Sequence, residues 1–124
     1  MEISDKVCGP VTVLCPSGRI DAAHSEAFQG HLVAAVAKPG AQVVVDMTRV
    51  SYISSVGLRA LMVAAKQTKA QGGKLAVAGL QPVVQEIFEI SRFNFVVKIF
   101  ATVREGIAWM SDAAAAAWDA SQAR

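Results

Sequence analysis

The chain has 124 residues, of which 53% are hydrophobic and 18% are charged. This length predicts a single domain that buries its own core, and the composition excludes disorder as the overall state. The net charge of +2 comes from 12 basic and 10 acidic residues that are scattered along the chain. Such a mild and dispersed charge excludes a dedicated nucleic-acid-binding protein, so we expect no direct contact with DNA.

The sequence gives no sign of a membrane segment. Its longest stretch without a charged residue, Val7–Gly18, is interrupted by Gly9, Pro10 and Pro16, whereas a spanning helix needs about 18 or more apolar residues. The N-terminus carries charged residues at once and lacks the apolar core of a signal peptide. We therefore expect a cytoplasmic protein without membrane insertion.

The chain opens with a predicted β-hairpin. Strands Glu2–Cys8 and Val11–Cys15 flank a Gly-Pro turn, and the break Pro16-Ser17-Gly18 ends the second strand. In a tight hairpin Cys8 faces Val11 and Cys15 faces Ser4, so the two cysteines do not meet. We therefore expect no disulfide. We also expect no metal site, because no metal-binding spacing of Cys or His is present.

The rest of the chain alternates strands and helices. In chain order we predict helix Ala22–Ala37 with Asp21 as its N-cap, strand Gln42–Met47, a connector Val50–Ser55, helix Val56–Gln71, strand Lys74–Ala78, helix Gln81–Ser91, strand Phe95–Phe100 and a helix after Thr102. The order ββαβαβαβα predicts an α/β domain over residues 1–110, with a mostly parallel sheet, an antiparallel N-terminal edge strand and about four helices. The Ala-rich tail 111–124 either extends the last helix or frays.

Functional residues of such sheets gather at the carboxyl ends of the strands, which here are the loops Ser17–Asp21 and Asp46–Ser55. Asp46 either ties down its own loop by accepting backbone N–H bonds or contacts a partner. Ser54 and Ser55 stand at a helix start, where a serine caps the helix. A phosphate is also favoured there, because free N–H groups and the helix dipole attract anions.

Other side chains have a structural and a functional interpretation. Arg59, Lys66 and Lys69 share one side of the second helix and form either a solvated face or a contact strip for an acidic partner. His24 and His31 are predicted to lie at the surface. We expect Trp109 to pack in the core, whereas Trp118 could mark a homodimer or partner contact.

Several motifs, taken together and in order, resemble the STAS domain family, and specifically the bacterial anti-sigma factor antagonists. The matching stretches cover roughly residues 1–110 and are Ser17–Asp21, Val43–Asp46, Val50–Leu58, Gly72–Leu75, Gly79–Val84 and Glu86–Ser91. The resemblance implies a partner that is both an anti-sigma factor and a serine kinase. The unphosphorylated antagonist captures this partner and frees a sigma factor, the phosphorylated form releases it, and a serine phosphatase resets the cycle.

The resemblance places the phosphoacceptor at Ser55, with Ser54 as a possible second acceptor. Ser54 stands where the family often has an acidic residue, and Val56 stands where a small residue is common. The predicted partner-binding residues are Asp21, Asp46, Ser54, Val56, Gly57 and Arg59.

Two alternatives belong to other classes. The chain could be an unswitched STAS subunit or adaptor of a larger assembly, such as a lipid-transport ATPase or a stressosome-like body, in which Ser55 is only a cap. It could also be a small-ligand sensor or an enzyme. Against an enzyme, the sequence has no GxxxxGK[ST] phosphate loop and no GxSxG elbow, and we expect no cofactor.

Overall fold

The computed structural model describes residues 1–122, which form one six-stranded sheet with helices on both faces. The strands are β1 (Glu2–Cys8), β2 (Val11–Ile20), β3 (Gln42–Asp46), β4 (Val50–Ile53), β5 (Lys74–Ala78) and β6 (Lys98–Phe100). The helices are α1 (Ser25–Ala35), α2 (Ser55–Ala70), α3 (Pro82–Ile90), α4 (Val103–Met110) and α5 (Asp112–Gln122), with a short 3₁₀ turn at Phe93–Phe95. The predicted α/β class is confirmed.

The sheet has the order β1-β2-β3-β5-β6, with β4 paired to β2 alone. Only β1 runs antiparallel to its neighbour, as predicted for the N-terminal edge strand. The predicted hairpin register is also confirmed, because Cys8 pairs with Val11 and Ser4 pairs with Cys15. Both cysteines are free thiols.

Strand β2 is longer than predicted and divides its pairing between two parallel partners. Residues 11–14 pair with β3, and residues 18–20 pair with β4. Pro16 lies between these two ladders, so its missing N–H breaks neither of them. The prediction that Pro16 ends the strand was therefore wrong, and so was the prediction of a connector at Val50–Ser55, where β4 forms.

The two faces of the sheet carry separate hydrophobic cores. Val43 and Val45 pack with the helices α1, α2 and α3. Val44 points to the other face and packs with α4 and α5. This arrangement explains the run of three valines, because a parallel strand covered on both faces has no polar side.

The boundaries of two predicted elements differ in the structure. Helix α1 begins at Ser25 rather than Ala22, because residues 22–24 form a turn in which the His24 amide donates to the Asp21 carbonyl at 3.1 Å. Strand β6 begins at Lys98 rather than Phe95, because the preceding segment turns. Phe93 is buried against Phe88 in an edge-to-face pair at 5.3 Å and holds this turn in place.

The Ala-rich segment forms its own helix, so residues 1–122 contain five α-helices rather than about four. Ser111 is extended and ends α4, and its hydroxyl accepts from the Ala114 amide at 3.1 Å, so it starts a new helix. Helix α5 folds back over the hairpin, where the Cys8 thiol donates to the Ala114 carbonyl at 3.2 Å. Residues 123–124 of the predicted tail lie outside the described residues.

The two tryptophans lie in different surroundings. Trp109 is 37% exposed and leans on Phe100, so its predicted place in the core was wrong. Trp118 is half-buried and packs against the core beneath α4 and α5. Within residues 1–122, none of the helices has both the length and the apolar character needed to cross a membrane.

Candidate functional site

The start of α2 lies beside the carboxyl ends of β2 and β4. Ile20 and Ile53 are paired in the last step of this ladder, and the Ser54 amide donates to the Ile20 carbonyl at 2.8 Å. Asp21 and Ser54, which follow these strands, therefore leave the sheet at the same edge. The predicted loop residues Asp21 and Ser54 are brought together here by a strand pair that the sequence did not predict.

Ser54, not Ser55, is the N-cap of α2. Its backbone is extended, its hydroxyl accepts from the Gly57 amide at 3.2 Å, and its carbonyl accepts the Leu58 amide at 2.9 Å. The alternative interpretation of Ser55 as the helix cap was wrong by one residue. Ser54 is half-buried and satisfies one of the free donors at the helix start.

Ser55 is the first residue of α2, and its side chain is exposed. Within residues 1–122, none of the hydrogen bonds engages its hydroxyl. Val56 beside it is 49% exposed, and Arg59 is exposed one turn further on. Since residues four apart are neighbours on a helix surface, Ser55 and Arg59 lie on one side of α2.

Gly57 holds the helix start close to the sheet. A Cβ atom built on Gly57 would lie 2.8 Å from a methyl carbon of Ile20 and 2.8 Å from a side-chain carbon of Ile53. The buried Gly57 thus acts through packing, and it allows the Ser54-Ser55 turn to sit directly on the ends of β2 and β4. Of the predicted partner-binding residues, Gly57 is the one that is buried.

Asp21 holds the turn that precedes α1. Its carboxylate accepts from the His24 amide at 3.1 Å and contacts His24 Nδ1 at 2.8 Å. Asp21 is therefore not the N-cap of α1, which is His24. Partial desolvation acts to raise the pKa of Asp21, but the hydrogen bonds and charge of His24 together outweigh it, so this pKa lies below its ordinary value.

A stacked pair beside this site was not predicted. Arg19 and Tyr52 face each other across β2 and β4, and the Arg19 guanidinium carbon lies 4.4 Å from the centre of the Tyr52 ring. The pair adds a cation and an aromatic ring next to the Ser54-Ser55 turn. The alternation of apolar and polar residues in Val50–Ile53 was the signal that could have revealed it, because it is typical of a short strand.

Asp46 lies apart from the other predicted site residues. Val45 and Met47 belong to the core beneath α2, so Asp46 points to the opposite face of the sheet. Its carboxylate accepts from the Thr48 amide at 3.0 Å and from the Thr48 hydroxyl at 2.7 Å. The structural interpretation, in which Asp46 ties down its own loop, is confirmed.

The shape of the site favours contact with a large partner. Ser55, Val56 and Arg59 stand on an exposed helix surface. A cavity of about 220 Å³ lies beside Asp46, and none of these three residues lines it. In the described part of the chain, no three His, Cys, Asp or Glu side chains come close enough to hold a metal ion. What the site presents is one free hydroxyl at a helix N-terminus.

Comparison with known protein families agrees with this architecture. Residues 2–106 match the sequence profile of the STAS domain. The chain belongs to the STAS domain family. The match ends within α4, so α5 follows the part of the chain that the STAS profile covers.

Individual relatives of this STAS domain carry related names. BtrV of Bordetella bronchiseptica, named as a candidate anti-sigma factor antagonist, is 40% identical over 89 residues, which are 72% of this chain and 76% of BtrV. A candidate anti-sigma factor antagonist of Thermotoga maritima has a TM-score of 0.80 at 18% identity and covers 87% of this chain and 93% of its own. The Bacillus cell fate determinant SpoIIAA, solved in its phosphorylated form, has a TM-score of 0.65 at 18% identity. The match covers 86% of this chain and 97% of the SpoIIAA chain.

Proposed function

We propose that this chain is an anti-sigma factor antagonist that is switched by phosphorylation of Ser55. It binds an anti-sigma factor that is also a serine kinase, and thereby frees a sigma factor in the cytoplasm. The name of BtrV, at 40% identity, supports the first part of this proposal. The existence of SpoIIAA in a phosphorylated form supports the second.

The observation that carries the proposal is the difference between the hydroxyls of Ser54 and Ser55. A kinase must bring an oxygen nucleophile in line with the γ-phosphate of ATP. Ser54 is half-buried and its oxygen already accepts the Gly57 amide. Ser55 is exposed at the first position of the helix and can be reached without unfolding α2, which favours Ser55 as the acceptor and Ser54 as its structural support.

The surface around Ser55 has the composition of a protein-binding patch. Val56 supplies an exposed apolar side chain at its centre, and Arg59 is a charged neighbour on the same helix. Asp21 and the Arg19–Tyr52 pair extend the patch along the ends of β2 and β4. An apolar centre with polar and aromatic surroundings is the usual anatomy of a protein interface.

Phosphorylation would change this patch at its centre. A phosphoserine carries about −1.5 to −2 charges at neutral pH, and the helix N-terminus and Arg59 would hold that charge at the surface. A partner that fits the neutral hydroxyl would then face bulk, repulsion and desolvation. A loss of about 3 kcal/mol lowers the affinity more than a hundredfold, and a serine phosphatase that removes the group restores it.

The test is a comparative capture with Ser55→Ala and Ser55→Asp as baits in a lysate of the native cell, read by mass spectrometry. We expect a serine kinase to be retained by the Ser55→Ala protein and lost from the Ser55→Asp protein. Ser91→Asp, which adds the same charge at an exposed position after α3, is the control and should retain the kinase. Equal recovery on all three baits would contradict the switch.

The second candidate is a constitutive STAS interaction subunit. The observation that favours it is Val56, whose exposed apolar side chain suits a permanent contact. In that case Ser55→Ala and Ser55→Asp would recover one partner equally, and no phosphate would be found on Ser55. A Val56→Ala bait would lose the same partner, because the contact would depend on the apolar side chain.

A further inference from the structure

A groove of about 380 Å³ lies at the end of α2 that is remote from Ser55. Its walls come from the last turn of α2, the start of β5, the segment before β6 and the exposed side of α4. The lining residues that carry the argument are Lys69, Lys74, Val96, Lys98 and Trp109. Neither Ser55 nor any other residue of the site described above contributes to it.

The charge of this groove has a single sign. Lys69, Lys74 and Lys98 all line it, and among the described residues its lining contains no carboxylate. The Lys74 ammonium lies 4.9 Å from the centre of the Trp109 ring, so it is held over an aromatic face. Three like charges around one concavity repel each other, and a bound anion would relieve that repulsion.

The groove also exposes large apolar side chains. Trp109 is 37% exposed and Val96 is 40% exposed, and Phe95, next to Val96 in the chain, is 82% exposed. Single exposed apolar residues are ordinary, but a tryptophan beside other apolar groups in a concave surface is typical of binding hot spots. The groove therefore offers an apolar anchor site with cations around it.

We propose that this groove binds an acidic segment of a partner protein, in which one apolar or aromatic side chain is flanked by Asp or Glu. The apolar side chain would sit against Trp109 and Val96, and the flanking carboxylates would pair with the three lysines. Strand β6 lies at the end of the sheet order, so an extended segment could also pair with its outer edge. The concave shape favours an inserted side chain over a flat lipid surface.

The position of the groove separates it from the proposed phosphorylation switch. Ser55 and Lys69 are the first and next-to-last residues of α2, so they lie about 21 Å apart at the helical rise per residue. Both surfaces can be occupied at once. The inference thus does not rest on the function proposed for Ser55.

The experiment uses the full chain and a fluorescein-labelled twelve-residue peptide with one central Trp between Asp and Glu residues. We expect saturable binding by fluorescence polarisation, weaker at high salt, with amide shift changes in two-dimensional NMR at Lys69, Lys74 and Lys98. Replacing the acidic residues of the peptide by Lys, or its Trp by Ala, should weaken binding roughly tenfold or more. The double variant Lys69→Glu/Lys98→Glu should lose binding by a similar factor, as should Trp109→Ala.

Lys38→Glu is the matched control, because Lys38 is exposed but does not line this groove. It should bind the peptide as the unmodified protein does. Absence of binding at millimolar peptide would overturn the proposal, as would equal loss in Lys38→Glu. Retention of the protein on phosphatidylserine vesicles, abolished by Lys69→Glu/Lys98→Glu while the peptide fails to bind, would show a membrane surface as the occupant instead.

Discussion

The Ser54 hydroxyl accepts a hydrogen bond from the Gly57 amide at 3.2 Å, and this bond assigns different roles to two adjacent serines. Ser54 closes the first turn of α2, whereas the exposed Ser55 begins the helix without being needed to cap it. The proposed phosphorylation switch depends on this division, because a phosphate on Ser55 would leave the cap formed by Ser54 in place.

Replacing each serine by alanine should separate these roles in a stability measurement. Ser54→Ala removes the cap and should lower the free energy of unfolding by about 1 kcal/mol, within the usual range for N-caps. Ser55→Ala should change it by less than about 0.5 kcal/mol, as is usual for exposed sites. Urea unfolding of both variants checks this, and equal losses would mean that Ser55 shares the capping role.

Gly57 should not tolerate a side chain. A Cβ atom there would meet Ile20 and Ile53 at 2.8 Å, so Gly57→Ala should cost about 1–3 kcal/mol through overpacking. Gly30 in α1 is the matched control, since a Cβ on Gly30 meets nothing within 4 Å. Gly30→Ala should stabilise the protein by about 0.5–1 kcal/mol, and thermal unfolding of both variants should show shifts of opposite sign.

The Asp21–His24 contact should make stability depend on pH. Because the pKa of Asp21 is lowered by its bonds to His24, its contribution is complete above the unfolded pKa of about 3.9 and is lost as the pH falls through the lower folded pKa. The stability advantage of the unmodified protein over Asp21→Asn should therefore be complete at about pH 6 and shrink as the pH falls below about 4. In an NMR titration, His24→Ala should raise the pKa of Asp21, and an unchanged pKa would argue against the contact.

Helix α5 should protect the Cys8 thiol. Cys8 is 6% exposed, its thiol bonds to the Ala114 carbonyl, and burial raises its pKa. In a Cys15→Ala background, ending the chain at Ser111 should speed thiol labelling of Cys8 on the order of tenfold for each 1.4 kcal/mol of lost protection. Arg104→Ala removes only the exposed pair with Asp119 and should have little effect, since such pairs contribute little. Unchanged labelling after truncation would show that α5 does not cover Cys8 in solution.

The sequence was most informative where local chemistry decides the structure. The Gly9-Pro10 turn set the hairpin register, because turn geometry fixes which residues face each other. The three consecutive valines of β3 are typical of a parallel strand that is covered on both faces, and the structure covers both. The residue pattern placed Ser54 and Ser55 at a helix start, where the structure has them.

The sequence failed where the structure depends on distant partners. Strand β4 is four residues long and pairs with the end of β2, so its short alternation of apolar and polar residues was too weak a signal to distinguish a strand from a connector. Without β4, the stacking of Arg19 on Tyr52 and the true length of β2 were also missed. The placement of Asp46 on the far face of the sheet depended on which residues of β3 point toward α2. The predicted helix cap was wrong by one residue because both candidate residues are serines.

The division of β2 between two partners has a consequence for engineering. Its first half belongs to the sheet with β3, and its last three paired residues hold β4 and the start of α2. Transplanting residues 18–21 and 50–59 together into another member of the family would thus carry over the strand pair and the proposed partner-binding patch, while the recipient keeps its own scaffold. Exchanging either segment alone would pair one strand of this protein with a strand of the recipient that has a different sequence.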